Sequence, residues 1–268
     1  MKKEELETPE QVTKKGVFDY QAIAGLTKHL GGQKATKELA KLCQIDSTSY
    51  VLDIGCGAGF TPTFLAKKFK CRVVGVDIHP EMVETSKALA KRRKVEDRTE
   101  FRVADAQNLP FDDNTFDVVL NESVFAFALD KKQAINEYVR VIKPGGVIGI
   151  NDSVWVKTPP QEYLEYISTH QSGGLNPIFP SELKELFEGA GLEIIEEKTS
   201  KVKALNEAIS ILRRQGLREL TRSVLRMLSL YRKDPDYRQF VKDTKDAQAP
   251  RELSKYIGFT IIVGRKEG

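Results

Sequence analysis

Cysteine is scarce in this chain of 268 residues, which contains three: Cys43, Cys56 and Cys71. Their number and spacing provide neither a disulfide framework nor a four-ligand zinc site. The sequence also has no unbroken apolar run that approaches the roughly 18 to 20 residues of a membrane-spanning helix. The N-terminal stretch MKKEELETPEQVTKKG is polar and has no apolar core of a secretory signal. We therefore expect a soluble cytoplasmic protein without an integral membrane segment.

A large excess of charge of one sign is absent as well, because the formal net charge is +4. This balance argues against binding to nucleic acid, which usually requires a strongly basic surface. The positive charge is concentrated in residues 204–252, which contain 11 Lys and Arg residues against 7 Asp and Glu residues. The rest of the chain is balanced.

Short β-branched segments alternate with helical segments through the middle of the chain. Strands are predicted at residues 50–54, 72–77, 99–104, 116–121 and 146–151. Helices are predicted at residues 33–43, 62–69, 80–94 and 131–141, with Thr61 as the N-cap of the second. Residues 181–195 are predicted to contain a capped helix that is closed by Gly191 and followed by a strand, and the last strand is predicted at residues 259–264. This alternation is typical of an α/β fold with helices on both faces of a parallel sheet.

The stretch VLDIGCGAGF combines a predicted strand with a turn that contains Gly55, Gly57 and Gly59. Glycines at such a turn leave no side chain between the peptide groups and a ligand. Asp77 ends the second predicted strand, where a carboxylate can accept hydrogen bonds from both hydroxyls of a ribose. The glycine spacing differs from the Gly-x-Gly-x-x-Gly of dinucleotide enzymes, because Phe60 occupies the place of the third glycine. The pattern predicts an adenosine-type ligand and disfavours a nicotinamide oxidoreductase.

Five segments together resemble the class I S-adenosylmethionine-dependent methyltransferases, in the small-molecule group that includes the quinone-type C-methyltransferases. They are VLDIGCGAG, VVGVDIHPEMV, FRVADAQNLPF, FDVVLNESV and RVIKPGGVIGIND, which cover about residues 50–152. The resemblance implies a Rossmann-like doubly wound sheet of seven strands, mostly parallel with an antiparallel last strand. It implies S-adenosylmethionine as methyl donor, S-adenosylhomocysteine as product and a small-molecule acceptor with a carbon, oxygen or nitrogen nucleophile. The apolar and aromatic residues of the 154–178 segment favour a lipophilic or ring-bearing acceptor.

The resemblance also implies contacts for the cofactor, residue by residue. The three glycines receive the methionine portion, and Asp53 shapes their loop and reaches the amino group. Asp77 takes the ribose hydroxyls, and Ile78 packs on the face of the adenine. Asp105 accepts a hydrogen bond from the adenine amino group, while the main chain of Ala106 meets the ring.

Further contacts are expected from the end of the fourth strand and from the N-terminal segment. Asn121 is expected beside the methionine end of the cofactor. Glu122 is interpreted either as a catalytic base or substrate clamp, or as a carboxylate that caps a helix or binds the cofactor's amino group. Gly32, in the pair Gly31-Gly32, is expected to approach the methionine carboxylate. Tyr20 is expected either to close the pocket or contact the donor, or to pack an N-terminal helix.

Three parts of the chain are distinguished. Residues 1–45 are expected to form an N-terminal helical cover, and residues 46–203 with 253–268 the methyltransferase core. Residues 204–252 are expected to form a basic helical insertion that is a substrate cap, a homodimer element or a solvated face. The insertion carries one apolar stripe and a row of arginines. If the insertion is a substrate cap, one of these arginines is expected to meet an anionic substrate or a membrane surface. The stripe consists of Leu217, Leu220, Val224, Leu228 and Tyr231, and the row of Arg218, Arg222 and Arg226.

No metal is expected, although Asp77, Asp105 and Asp152 are reminiscent of the triad of catechol-type O-methyltransferases. The first two of these aspartates are already assigned to the cofactor. Two alternative functions remain: a non-catalytic S-adenosylmethionine-binding regulator, and an aminopropyltransferase of the same fold. The second fits less well, because those enzymes place additional acids near the donor and the fourth strand here ends Asn121-Glu122.

Overall fold

One seven-stranded sheet organises the protein, in a computed structural model that describes residues 20, 23–24, 30–170, 174–201, 204–246 and 252–268. The strands lie in the order β3-β2-β1-β4-β5-β7-β6. Strands β1 to β5 run parallel to one another, whereas β7 is antiparallel to both of its neighbours, β5 and β6. The predicted Rossmann-like topology is thus confirmed. The strands are β1 Tyr50–Ile54, β2 Arg72–Asp77, β3 Thr99–Val103, β4 Phe116–Glu122, β5 Ile142–Trp155, β6 Leu192–Lys201 and β7 Ile257–Lys266.

Helices cover both faces of the sheet and bury one hydrophobic cluster on each. On one face, α1, α2 and α3 pack on residues such as Val118 and Leu120 of β4. On the other face, α4 and α6 pack on Phe116 and Val119 of the same strand. The alternation of Val118, Val119 and Leu120 follows from the period of two in a strand, whereas Phe116 precedes a register irregularity between Phe116 and Val118. The described α-helices are α1 Gly32–Leu42, α2 Phe60–Phe69, α3 Pro80–Arg93, α4 Lys131–Val141, α5 Gln161–His170, α6 Pro180–Gly189, α7 Ala204–Lys233 and α8 Pro235–Asp246.

Several predicted boundaries were wrong. Helix α2 begins at Phe60 with Gly59 as its N-cap, so the prediction of Thr61 as N-cap was wrong. Strand β5 is longer at both ends than predicted, because it pairs with β4 on one side and with β7 on the other as far as Trp155. The helix predicted within residues 181–195, in contrast, is closed by Gly191 as expected: it ends at Gly189, Gly191 follows with a φ of 78°, and β6 begins at Leu192.

Helices α7 and α8 lie between β6 and β7 and contact both the core and the N-terminal segment. Arg92 of α3 pairs with Glu219 of α7, with Nη2 and Oε2 at 3.2 Å. The ring of Tyr20 packs on Tyr237 and Phe240 of α8, at centroid distances of 4.8 and 4.9 Å. Tyr20 therefore packs on α8, and its two expected roles, at the cofactor pocket or in packing an N-terminal helix, stay predictions. No helix in the described part of the chain combines the length and the apolarity needed to cross a membrane.

Candidate cofactor-binding site

The loop between β1 and α2 has a shape that only glycine permits at two positions. Gly55 and Gly59 have φ angles of 69° and 79°, in the left-handed region. A Cβ on Gly55 would lie 2.3 Å from Cγ2 of Val124, and a Cβ on Gly59 would lie 2.9 Å from Cα of Ser86. Two hydrogen bonds hold the middle of the loop: the Gly57 amide donates to Asp77 Oδ2 at 2.8 Å, and Ser86 Oγ donates to the Gly57 carbonyl at 2.7 Å. The result is a bare main-chain cradle at the carboxyl edge of the sheet.

Asp77 closes one side of this cradle. Besides the Gly57 amide, its carboxylate accepts a hydrogen bond from the His79 amide at 3.0 Å. Burial raises the pKa of Asp77, and these two amide donors oppose the increase. The adjacent Ile78 is 59% exposed although it is apolar. A carboxylate next to an open apolar side chain is an arrangement suited to a ribose and a flat ring.

Asp53 lies buried at the floor of the site. Its pKa is raised well above the ordinary value, first by burial and then by the negative charges of Glu122 and Asp77. Within the described ranges, no group donates a hydrogen bond to its carboxylate. Three acidic side chains thus lie close enough to repel one another, and a cationic ligand would relieve that repulsion.

Glu122 is held between two helices. Its Oε2 accepts a hydrogen bond from Thr36 Oγ1 of α1 at 3.0 Å, and its Oε1 accepts one from Thr61 Oγ1 of α2 at 3.2 Å. The charge of Glu122 also contributes, after burial, to the raised pKa of Cys43. Thr36 and Ser86 were missed by the sequence analysis, and Thr61 was assigned only as a helix cap, since isolated hydroxyl residues on helices form no motif. The catalytic role of Glu122 stays a prediction.

Asn121 does not direct its side chain towards the cradle. Its Nδ2 donates to the Tyr138 hydroxyl at 2.9 Å, and its Oδ1 accepts from the Phe125 amide at 3.1 Å. Successive side chains of a strand point to opposite faces, so Asn121 faces α4 when Glu122 faces α1. The side chain of Asn121 is therefore bonded on the α4 face of the sheet, and the expected position of this residue beside the methionine end of the cofactor stays a prediction.

Asp105 shapes the turn that follows β3. Its Oδ1 accepts hydrogen bonds from the Gln107 amide at 2.8 Å and from Gln107 Nε2 at 3.1 Å. Asp105 and Ala106 are both half-buried. The adenine contacts expected of these two residues stay predictions.

The N-terminal glycine pair is fixed against the edge of the sheet. The Leu30 amide donates to Ser123 Oγ at 3.0 Å, and Asn151 Nδ2 donates to the Leu30 carbonyl at 2.8 Å. Gly31 and Gly32 follow with φ angles of 71° and 55°. These bonds place the start of α1 beside the ends of β4 and β5, although the contact of Gly32 with a cofactor stays a prediction.

The described residues contain no group of three or more His, Cys, Asp or Glu side chains that could hold a metal ion.

Comparison with known proteins identifies the family. A family model described as "Methyltransferase domain" matches residues 52–150. A Haemophilus influenzae protein named "Uncharacterized protein" is 30% identical over 168 residues, which are 62% of this chain and 67% of that protein. The chain belongs to the class I S-adenosylmethionine-dependent methyltransferases. Phosphoethanolamine N-methyltransferase 1 of Arabidopsis thaliana is 33% identical over 159 residues, which are 59% of this methyltransferase chain and 32% of the plant enzyme.

The fold of this methyltransferase also matches solved structures. The crystal structure of the [4+2]-cyclase SpnF superposes with a TM-score of 0.70 at 20% identity, and the match covers 92% of this chain and 90% of SpnF. At this level of identity the likeness concerns the fold. The match to the plant relative spans about a third of that enzyme's length, so its activity is not transferred to this chain by similarity alone.

Proposed function

We propose that this methyltransferase moves the methyl group of S-adenosylmethionine to a small-molecule acceptor by in-line displacement. The observation that carries the proposal is the glycine cradle lying among the carboxylates of Asp53, Asp77 and Glu122. S-adenosylmethionine has a positive sulfonium and a positive ammonium group, which suit a buried acidic site. The raised pKa of Asp53, caused first by burial and then by the charges of Glu122 and Asp77, supports a cationic ligand at this carboxylate.

The residues present fit this donor. Gly55, Gly57 and Asp53 would hold its methionine portion, Asp77 its ribose and Ile78 its adenine. Bound S-adenosylmethionine supplies a methyl group that the sulfonium has already activated. The chain therefore has to align the two reactants and exclude water, and alignment of this kind can supply roughly 7 to 11 kcal/mol.

The acceptor would enter through a cavity of about 380 Å³ beyond the end of β5. Its walls are mostly apolar, which supports an acceptor with an apolar or ring-bearing part. One wall is tied to the segment after β4, because the Asn176 amide donates to the Ala126 carbonyl at 2.8 Å. A nitrogen nucleophile is supported by the activity in the name of the Arabidopsis relative. The cavity is lined by Trp155, Gln161, Leu164, Glu165, Ile167, Gly174, Leu175, Asn176 and Pro177.

For Glu122 we propose a binding role in place of general-base catalysis. Both of its oxygens already accept hydrogen bonds from threonine hydroxyls, and the side chain is buried. Its charge would then attract the cationic donor. A Glu122→Gln variant should raise the Kd for S-adenosylmethionine and leave the pH profile of kcat unchanged. A kcat profile that loses its acidic limb in this variant would instead identify Glu122 as the base.

Calorimetric titration with S-adenosylmethionine and S-adenosylhomocysteine tests the proposal. Both should bind the wild type, and Asp77→Asn should weaken binding by about 10- to 150-fold, because a hydrogen bond to a charged group contributes about 1.5–3 kcal/mol. Asp117→Asn is the matched control, since Asp117 accepts from the Tyr50 amide at the opposite end of β1. Transfer of a labelled methyl group to a panel of small amines, phenols and carbon acids then separates an enzyme from a binding protein. Binding of NADH but of neither adenosyl compound would refute the proposal.

A further inference from the structure

Helix α7 presents an apolar surface that the described chain does not cover. Solvent reaches 74% of Leu217, 60% of Leu225 and 50% of Leu228. Val224 and Tyr231 are exposed on the same side. These five residues, which we call the apolar face of α7, recur at spacings of three, four and seven and therefore share one side of the helix.

The opposite side of α7 is attached to the protein. Ser223 is buried there. Glu219 accepts hydrogen bonds from two arginines: from Arg222 Nη1 of the same helix at 2.7 Å and from Arg92 Nη2 of α3 at 3.2 Å. These contacts fix the rotation of α7 about its axis. The outward direction of the apolar face is thus a property of the fold.

Basic side chains accompany this face. Residues 217–233 contain five Lys and Arg residues and one acidic residue, Glu219. Arg218 and Arg232 are exposed and directly follow Leu217 and Tyr231 of the apolar face in the sequence. Arg226 lies seven positions after Glu219 and therefore belongs to the attached side. Neither Arg218 nor Arg232 forms an ion pair with any residue that the structure describes.

We propose that the apolar face of α7 docks on the surface of an anionic lipid bilayer, with the helix lying in the plane of the interface. A helix with an apolar face and a basic flank is the form in which peripheral proteins bind such surfaces. The side chains of Arg218 and Arg232 would reach the phosphate groups of the lipids. The apolar side chains would lie at the boundary between headgroups and acyl chains.

A second copy of this chain fits the face less well. If two copies paired through this face in an antiparallel arrangement, the basic side chains beside the face would be brought together and would repel one another. The one acid of the stretch, Glu219, is already bonded to Arg92 and Arg222. A bilayer, by contrast, supplies negative charge and an apolar layer together and needs no complementary shape. This docking does not depend on the methyl-transfer activity.

Vesicle flotation of the full chain tests the proposal, with phosphatidylcholine vesicles compared with vesicles of equal parts phosphatidylcholine and phosphatidylglycerol. We expect binding to the mixed vesicles and release by salt. The double variant Leu225→Glu, Leu228→Glu should lose binding while keeping its melting temperature, since both side chains are exposed. The double variant Arg218→Ala, Arg232→Ala should bind about 30-fold more weakly, because each basic residue near an anionic surface contributes about fivefold.

A matched control removes the same positive charge elsewhere. Lys67 of α2 and Lys132 of α4 are exposed and lie outside α7. Their double replacement by alanine should retain binding, and all of these variants should retain the wild-type affinity for S-adenosylmethionine. The proposal is overturned if the anionic vesicles are not bound, if the glutamate variant still binds, or if the lysine control loses as much as the arginine variant. A dimer in sedimentation that the glutamate variant dissociates would assign the face to a second copy and overturn it as well.

Discussion

Replacing Asp53 with asparagine should stabilise this methyltransferase and weaken its binding of S-adenosylmethionine, two effects of opposite sign. The carboxylate is buried, and its pKa is raised by burial and by the charges of Glu122 and Asp77. A carboxyl group whose pKa is higher in the native state than in the unfolded state lowers stability once it ionises. Asparagine fills nearly the same volume without the charge and should therefore remove this cost.

The gain in stability should depend on pH. Below the pKa that Asp53 has in the unfolded chain, its carboxyl group is protonated in both the native and the unfolded state. In that range the free energies of unfolding of the variant and the wild type should change with pH in the same way. As pH rises through the raised native pKa, the wild type loses stability that the variant keeps. The difference amounts to about 1.4 kcal/mol for each unit between the native and unfolded pKa. Urea unfolding in steps between about pH 4 and pH 8 measures it.

We expect the loss in affinity because the proposed site includes one charge-assisted hydrogen bond between Asp53 and the ammonium group of the donor. Such a bond contributes about 1.5–3 kcal/mol, so the Kd should rise about 10- to 150-fold in calorimetry. Asp117→Asn is again the control: Asp117 accepts from the Tyr50 amide and from Lys143 Nζ, both at 2.8 Å. This control should lose stability and keep its affinity. If Asp53→Asn instead loses stability, or keeps the wild-type Kd, the reasoning about an acidic cation site fails.

Three further predictions concern the cradle and its surroundings. Gly55→Ala should lower both stability and donor affinity, because its Cβ would meet Val124. Gly145 has a φ of 75° and open space around it, so the control Gly145→Ala should lose only the roughly 1–2 kcal/mol that a non-glycine residue costs in the left-handed region, measured as the free energy of unfolding in urea. Burial raises the pKa of Asp152 from 3.8 to about 6, so its stabilising contribution exists at low pH and is lost as pH rises through about 6. Relative to Asp152→Asn, the wild type should therefore lose about 3 kcal/mol of unfolding free energy between about pH 4 and pH 8. Thr36→Val should lose about 1.5–3 kcal/mol by the same assay, since its hydroxyl donates to a buried carboxylate; an unchanged value would show that this bond contributes nothing.

Local patterns led to correct predictions where neighbours in sequence decide the structure. The glycine turn after β1 and Asp77 at the end of β2 both follow from short-range patterns, and the structure joins them through the bond from the Gly57 amide. The prediction of Thr61 as an N-cap was wrong because the Thr61 hydroxyl donates to Glu122, which lies 61 positions away. No short window of sequence contains both partners of that bond.

The sequence also did not predict towards which side of the sheet the side chains at the end of a strand point. The sequence placed Asn121 and Glu122 at the end of β4, but it did not tell which of them faces α1. Packing on both sides of the sheet decided this, because Tyr138 of α4 and Thr36 of α1 each take one of the two side chains. The exposure of the apolar face of α7 was likewise invisible, since an amphipathic pattern has the same appearance whether its apolar side is covered or open.

The sequence by itself determined the α/β architecture and the place of the cradle, since hydrophobic periodicity and glycine spacing act over a few residues, and its resemblance to a known family indicated the cofactor class. Only the tertiary structure decided which carboxylates share one buried site, which hydroxyls hold Glu122 and which side of α7 remains open. Those properties arise from contacts between residues far apart in the chain, and their energies depend on burial, which exists only after the elements have packed together.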